Sequence, residues 1–479
     1  MNHSKKDTPL HFVGIGGIGM SGIAEVFLNQ GYPISGSDLQ ESESTRRLSQ
    51  LGVRMAIGHL GANIGDAKVV VVSSAVQESN PEIQEARRRR IPVIRRAEML
   101  GELMRGKIGV AVAGTHGKTT TTSMLATVLT AAGLDPTLVI GGKVDSLGGN
   151  AKLGRGSLVV AEADESDGSF LHLPATYGII TNIDNDHLDH YGSLTAVEDA
   201  FIDFVGKLPF YGLAAVCAED AGVRRCMSRW PKPILTYGLS NEWEYYADEL
   251  KLSGQGTRFR VHGKAKGEEN HQFLGEIALQ VPGKHNVLNA LGTLVIALQL
   301  GLSFEDVSRG LAAFSGVKRR FETRWQSLAH QLRVIDDYGH HPTEIAATLS
   351  AARSVWKGRV LAVFQPHRYS RTLHCRDGFL SAFHHADVLY LTDIYAAGET
   401  PLEGVDSNRL AREIAEVAPR GQKVLYTGGL EETRQAVLAE VREGDLLLCM
   451  GAGSITRLPE QLISELERRW SASPAGGPA

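Results

Sequence analysis

Gly114-Thr115-His116-Gly117-Lys118-Thr119-Thr120 holds the residues of this chain best suited to chemistry. Glycines let successive backbone N–H groups converge on phosphate oxygens, and the start of a helix adds positive potential. Lys118 is placed to neutralise charge on terminal phosphates, and the Thr119 hydroxyl to ligate Mg²⁺. Such a loop needs a strand to launch it and a helix to receive it. The apolar run 108–113 supplies the first and the pattern 123–129 the second. The spacing departs from G-x-x-x-x-G-K, which wants glycine where Val112 stands; here the first glycine comes two residues later. The plain alternative is a tight strand-to-helix turn with an exposed lysine. Position, chemistry and flanks together favour a site for a nucleoside triphosphate.

Carboxylates follow. Glu162-Ala163-Asp164-Glu165 stands at the end of the apolar run 157–161, where a phosphate-loop protein puts the acid that holds Mg²⁺. Glu162, the first carboxylate past the run, is the candidate. Asp164 and Glu165 read better as acids capping the next helix. The run 177–182 leads into Asp184-Asn185-Asp186-His187. His187 lies just beyond a strand end and could ligate a second divalent ion, or be ordinary surface; spacing does not decide between them.

A second glycine loop, Gly14-Ile15-Gly16-Gly17-Ile18-Gly19, follows an apolar run and opens a helix pattern. Asp38 stands nineteen residues beyond Gly19. This is the pattern of a dinucleotide site, and a dehydrogenase is one reading. Its physics requires only a pyrophosphate near backbone at a helix start, which a UDP-sugar also satisfies. The glycines could also serve only the strand–helix crossover. Two nucleotide sites favour an ATP-driven enzyme acting on a second, nucleotide-linked substrate.

The elements that must position these loops alternate strand and helix almost throughout, an α/β pattern with parallel sheets. Strands are expected at 10–14, 33–37, 69–73 and 93–94, then at 108–113, 138–140, 157–161, 177–182, 214–217 and 234–237. From residue 245 to 281 the texture changes to short alternating runs that read as antiparallel ribbons. A third set of strands is expected at 332–336, 360–365, 388–393, 423–426 and 445–450. With 479 residues, 43 % hydrophobic and 22 % charged, the chain has room for several cores. Its net charge of −4 provides no basic field for nucleic acid. The run Arg87-Arg88-Arg89-Arg90 reads as a solvated helix end. Four cysteines without metal spacing suggest free thiols in a reducing compartment. No signal peptide or membrane span is evident, so the cytoplasm is the expected location.

Taken in order, these motifs resemble the Mur ligase family of bacterial cell-wall synthesis. The resemblance covers nearly the whole chain. It runs through the first glycine loop, residues 114–122, the acids of 162–167 and Asp186-His187-Leu188-Asp189-His190-Tyr191-Gly192. It continues through Gly283-Lys284-His285-Asn286-Val287-Leu288-Asn289-Ala290, Arg319-Arg320-Phe321-Glu322 and Asp336-Asp337-Tyr338-Gly339-His340-His341-Pro342-Thr343-Glu344. Glu165-Ser166-Asp167-Gly168-Ser169-Phe170-Leu171, the Tyr338-Gly339-His340-His341-Pro342 run and Gln365-Pro366-His367-Arg368-Tyr369-Ser370-Arg371-Thr372 resemble the branch that adds L-alanine to UDP-N-acetylmuramate. The nearest branch to exclude attaches a ready-made tripeptide in recycling.

The resemblance implies three α/β domains in series. These are a Rossmann-like UDP-sugar domain (1–107), a central phosphate-loop ATPase domain (108–320) and a Rossmann-like amino-acid domain (321–470); the tail 471–479, rich in Ser, Pro, Gly and Ala, reads from its composition as disordered. It implies ATP at Gly114, Thr115, His116, Gly117, Lys118, Thr119 and Thr120, with His285, Asn286, Asn289, Arg320 and Asp337. Mg²⁺, or Mn²⁺ in its place, would be held by Thr119, Glu162 and His187. UDP would lie on Gly16, Gly17, Ile18, Asp38, His59 and Ser73, and the amino acid on Tyr338, His340, His367, Arg368 and Arg371. Lys118, Arg320, His187 and His340 would carry the catalysis. Sibling ligases carry a carbamylated lysine about fifteen residues past the metal histidine; here Ala200-Phe201-Ile202-Asp203-Phe204 offers none, and Lys207 does not fit the role. The implied partners are small molecules, with no nucleic acid and no membrane, acting on a monomer or weak homodimer. A nucleotide-binding regulatory or transport ATPase, with the outer domains as sensors, is the rival from another class.

Overall fold

The computed structural model describes residues 7–73, 75–144, 149–253, 256–264 and 270–471. The expected tail therefore lies, except for Ser471, outside the described residues. The chain forms two compact units. One comprises the residues up to Glu249 with Phe259–Ala278 and Leu288–Ser315. The other comprises Gly316 onward with Leu250–Arg258 and Leu279–Val287.

The first unit opens with β1 (Leu10–Val13), β2 (Ile34–Asp38), β3 (Arg54–Ile57), β4 (Val69–Val72) and β5 (Val93–Arg95). They form one sheet in the order β3-β2-β1-β4-β5, parallel throughout. Parallel strands covered on both faces read as unbroken apolar runs, and all four residues of β1 are buried. Edge strand β3 is half-exposed and carries no such run, so sequence patterning passes over it.

The second sheet holds β6 (Ile108–Ala113), β7 (Thr137–Val144), β8 (Gly149–Lys152), β9 (Leu158–Glu162), β10 (Tyr177–Ile180), β11 (Leu213–Cys217), β12 (Ile234–Gly238), β13 (Tyr245–Ser253), β14 (Gly256–Gly263) and β15 (Gln272–Leu279). Their order is β15-β14-β13-β12-β11-β10-β6-β9-β7-β8. The segments expected as ribbons continue this sheet, and β13 enters parallel to β12. β6 lies between β10 and β9, parallel to both. The helix Lys118–Ala131 that follows β6 is buried from Thr119 to Leu129.

The second unit carries β16 (Glu322–Ser327), β17 (Leu332–Asp337), β18 (Val360–Phe364), β19 (Val388–Thr392), β20 (Lys423–Gly428) and β21 (Leu446–Met450). Their order is β16-β17-β21-β18-β19-β20. All pairs are parallel except the edge pair β16–β17. Helix Pro342–Val355 leaves the end of β17 with a capping box of His341 and Glu344 and proline at its first position. The four cysteines are free and buried, and burial pushes the Cys217 thiol up to about 12. Arg87, Arg88, Arg89 and Arg90 are all exposed at a helix end, as their run predicts. Among the described residues no helix is long and apolar enough to cross a membrane.

Candidate active site

The phosphate loop leaves β6 at Gly114 (φ 132°) and enters its helix through Gly117 (φ 81°). Val112 is still inside the buried strand, which is why the first glycine comes late. At position 114 a Cβ would stand 2.0 Å from Thr181 Oγ1, so only glycine fits. The helix has no side-chain cap, and its first-turn N–H groups are left to the loop. The segment after β10 braces the loop. His116 N–H donates to Asn182 Oδ1 (2.7 Å), Asn182 Nδ2 returns a bond to His116 O (2.9 Å), and Asp184 N–H donates to Thr115 Oγ1 (2.9 Å). His116 Nε2 faces Asp184 Oδ2 at 3.1 Å. Neither Asn182 nor Asp184 announces this role by periodicity or motif.

Lys118 is not on an exposed arm. Its side chain is 13 % exposed, and Nζ donates to Gly114 O (2.7 Å), Thr115 O (3.1 Å) and Glu165 Oε1 (2.9 Å). Burial opposes its charge, but Glu165, Asp164 and Glu162 outweigh that and raise its pKa. Glu165 is thus a site residue rather than a helix cap. It is 1 % exposed, and its Oε2 lies 2.8 Å from the same Nζ yet makes no hydrogen bond. Tyr191 Oη holds its backbone carbonyl (2.6 Å). The first-turn Thr119 hydroxyl donates to Glu162 Oε1 at 3.0 Å, while Gly141 N–H donates to Oε2 at 2.8 Å. His187, in a left-handed conformation (φ 58°), brings Nε2 to 3.7 Å from Glu165 Oε1. Hydroxyl, two carboxylates and imidazole thus gather at the loop. The oxygen donors suit Mg²⁺, and the unbonded Glu165 oxygen is a further donor of that kind. Lys207 Nζ donates to Leu171 O at 2.9 Å.

Burial pushes the Glu165 carboxyl up from 4.5 to about 7, Asp164 adds to the rise, and Lys118 opposes it. The folded chain therefore holds a proton here that the unfolded chain releases, so this contribution is full below pH 4.5 and is lost as pH rises through 7. Glu165→Gln should flatten the fall of Tm between those limits, by a contribution on the order of 3 kcal/mol. Thermal melts of both proteins from pH 4.5 to 8 check this; equal slopes would place the titration elsewhere.

Asn289 reaches the same loop: a Cβ on Gly117 would stand 2.9 Å from its Oδ1. In the first sheet, Gly16 N–H donates to Asp38 Oδ2 (2.8 Å), and a Cβ on Gly14 would stand 3.3 Å from Ser73 Cβ. His59 Nδ1 meets Ser37 Oγ at 3.1 Å. Gly16, Gly17, Asp38, His59 and Ser73 thus gather at the C-terminal edge of the sheet, where open α/β sheets bind ligands. Ile18 starts the helix there, and that helix too has no side-chain cap. Asp164, from the acid run, pairs with Arg96 of the helix Arg96–Met104 at 3.2 Å.

In the second unit the guanidinium groups of Arg319 and Arg320 lie over the Tyr338 ring, 5.3 and 5.0 Å from its centroid. Arg320 also donates to Glu344 Oε1 at 3.2 Å. His340 packs against Tyr338 and against His367, with centroids 5.1 and 5.8 Å apart. His367 stacks on Tyr395 and lies 3.3 Å from Arg371 Nη1. Arg368 holds φ 68°, a strained value for an arginine, while its N–H bonds Tyr395 O. The expected amino-acid residues therefore assemble, and Tyr395 joins them unforeseen. Asp337 is 4 % exposed, and its carboxylate accepts from Phe321 N, Gly339 N and Thr348 Oγ1. In this geometry it ties its own unit together rather than standing open to a ribose. Burial lowers the His285 pKa to about 4, and Arg320 pushes the same way, so that ring is neutral. Asn286 Nδ2 bonds Pro282 O (2.7 Å).

Three family models match the chain: Mur ligase family, catalytic domain, at residues 9–108; Mur ligase middle domain at 112–297; and Mur ligase, glutamate ligase domain, at 319–453. The UDP-N-acetylmuramate--L-alanine ligase of Geotalea daltonii is 52 % identical over 458 residues, spanning 95 % of this chain and 98 % of that protein. The crystal structure of UDP-N-acetylmuramate-alanine ligase from Thermotoga maritima superposes with TM-score 0.80 at 32 % identity, covering 96 % of this chain and 99 % of that one. A murein peptide ligase from Psychrobacter arcticus shares the fold, with TM-score 0.68 at 24 % identity over 98 % of this chain and 100 % of that one.

Proposed function

The chain belongs to the Mur ligase family, and from that premise we propose that it joins L-alanine to UDP-N-acetylmuramate with ATP in the cytoplasm, for peptidoglycan precursor synthesis. What carries the reading is a phosphate loop wired to Glu162 and Glu165, in a chain whose near-full-length relatives are named for that reaction. The working division is 1–107 for the sugar nucleotide, 108–320 for ATP and 321–470 for the amino acid; the spans matched by the family models support it.

A lactyl carboxylate oxygen attacks the γ-phosphorus of ATP, and the bond to the bridging oxygen breaks to release ADP. The amine nitrogen of alanine attacks the resulting acyl carbon, and the tetrahedral intermediate expels inorganic phosphate. The protein contributes positioning and charge neutralisation, through Lys118 and Arg320. Thr119, Glu162 and His187 would hold Mg²⁺, which when bound supplies further neutralisation of the triphosphate. Alanine must give up an ammonium proton. His340 Nδ1 faces the Tyr338 carbonyl at 3.1 Å and so carries hydrogen, which in a neutral ring leaves the lone pair on Nε2. That tautomer is the one a base needs, and His340 stands as a candidate for it beside a metal-bound water.

Arg371, with Arg368 and His367, is placed to hold the α-carboxylate, since an arginine fork can bind both oxygens. Arg371→Ala should raise the KM for alanine at least about tenfold and leave that for ATP nearly unchanged. Steady-state titration of each substrate decides; equal shifts would make Arg371 structural. The function itself is tested by phosphate release from ATP. Release should require both UDP-N-acetylmuramate and free L-alanine, and a preformed tripeptide should substitute poorly. Preference for the tripeptide would move the chain to the recycling branch, and hydrolysis without joining would make it a regulatory ATPase.

A further inference from the structure

A carboxylate that the reaction does not use lies at the centre of the first sheet's polar network. Glu82, in the helix Pro81–Arg88, is 0 % exposed. Its Oε2 accepts from Ser37 Oγ at 2.6 Å and faces His11 Nε2 at 3.4 Å. Its Oε1 accepts from Asn63 Nδ2 at 2.6 Å and Leu60 N at 3.3 Å. Burial pushes this carboxyl up, but the hydrogen bonds from His11, Ser37 and Asn63 outweigh it and hold the pKa below the ordinary value. The group is therefore an acceptor on every side.

That fixes the hydrogen of Ser37. A hydroxyl has one hydrogen, and the bond to Glu82 takes it. Toward His59 Nδ1, 3.1 Å away, Ser37 Oγ can only accept, so Nδ1 must carry hydrogen. The neutral ring then has its lone pair on Nε2. The His59 side chain is 13 % exposed, just past β3 and beside β2. Around it Leu39, Ile57 and Leu60 are 69 %, 58 % and 66 % exposed, an apolar surround of the kind a nucleobase covers. We propose that Glu82, acting through Ser37 and directly from its Oε2, 3.5 Å from His59 Nδ1, positions His59 with Nε2 as a hydrogen-bond acceptor for the uridine part of the sugar nucleotide. This rests on the UDP-sugar reading of the first sheet. A phosphate has no donor to offer such an atom; uridine has two kinds, the ring N3–H and the ribose hydroxyls.

The test uses the full-length chain with UDP as probe, in calorimetric titrations of the wild type, Glu82→Gln, Ser37→Ala and His59→Ala. Long-range ¹H–¹⁵N spectra read the His59 tautomer. The wild type should show hydrogen on Nδ1, and this preference should weaken in Glu82→Gln and Ser37→Ala. Both should bind UDP about tenfold more weakly, with the KM for ATP unchanged and kcat at saturating sugar nucleotide within about twofold. Ser37→Ala keeps the experiment decisive if Glu82→Gln does not fold. N3-methyl-UDP or deoxy-UDP should bind the wild type about tenfold more weakly, and which of them does so identifies the donor. His59→Ala should lose that discrimination. Hydrogen on Nε2 in the wild type, folded variants that bind UDP as the wild type does, or no discrimination between analogues would each overturn the proposal. A wild type that binds no uridine nucleotide would overturn the ligase reading together with this one.

Discussion

Lys118→Ala should cut turnover by at least about 10²-fold, because one preorganised charge on the transferring phosphoryl group is removed. The structure adds a second consequence. Lys118 is the closest counter-charge to a buried carboxylate, with Nζ 2.9 Å from Glu165 Oε1. Removing one partner of a buried pair leaves the other uncompensated, which commonly costs about 3–5 kcal/mol. Glu165, already raised to about 7, can relieve that by taking up a proton. The variant should therefore fold, with a loss of Tm that is larger at pH 8 than at pH 6. Lys118→Ala with Glu165→Gln should recover stability and not turnover. Melts and initial rates on the three proteins separate the effects. Near wild-type turnover in Lys118→Ala would remove the lysine from the mechanism.

The legible parts of this chain are those whose chemistry is local. A glycine loop between an apolar run and a helix pattern shows itself within about fifteen residues, and β6, Gly114, Gly117 and Lys118 stand where that pattern puts them. The parallel strands were legible because burial on both faces demands continuous apolar sequence. β3 and β16 were not, since each is a half-exposed edge strand of mixed composition. Glu165 was misread for a related reason. Nothing in Ala163-Asp164-Glu165 tells which carboxylate turns inward; that depends on the turn after β9 and on Lys118, forty-seven residues away in sequence. The Glu82 network joins residues from 11 to 82 and has no linear signature. The tie of Asp337 to Phe321 N depends on a backbone path with φ 54° at Phe321 that no residue type announces.

If the lactyl carboxylate attacks phosphorus, one of its oxygens must leave with the phosphate. UDP-N-acetylmuramate carrying ¹⁸O in both carboxylate oxygens should therefore yield singly labelled inorganic phosphate, the second label remaining in the new amide carbonyl. The site favours this route over its rivals. Lys118 and an uncapped helix start meet at the loop, and on the proposed reading they supply the charge that attack at the γ-phosphorus requires. An adenylate route would place the label in AMP and release pyrophosphate. A covalent phosphoenzyme hydrolysed without passing its phosphoryl group to the carboxylate would deliver unlabelled phosphate, the carboxylate oxygen then leaving as water. Near the loop the structure offers that route Thr119, whose hydroxyl hydrogen is already directed to Glu162 at 3.0 Å, and His187, whose Nε2 lies 3.7 Å from Glu165 and from Asp186. Mass spectrometry of phosphate and amide after a single turnover with L-alanine reads the outcome directly. Unlabelled phosphate beside ligated product would discard the acyl phosphate while leaving the ligase itself standing.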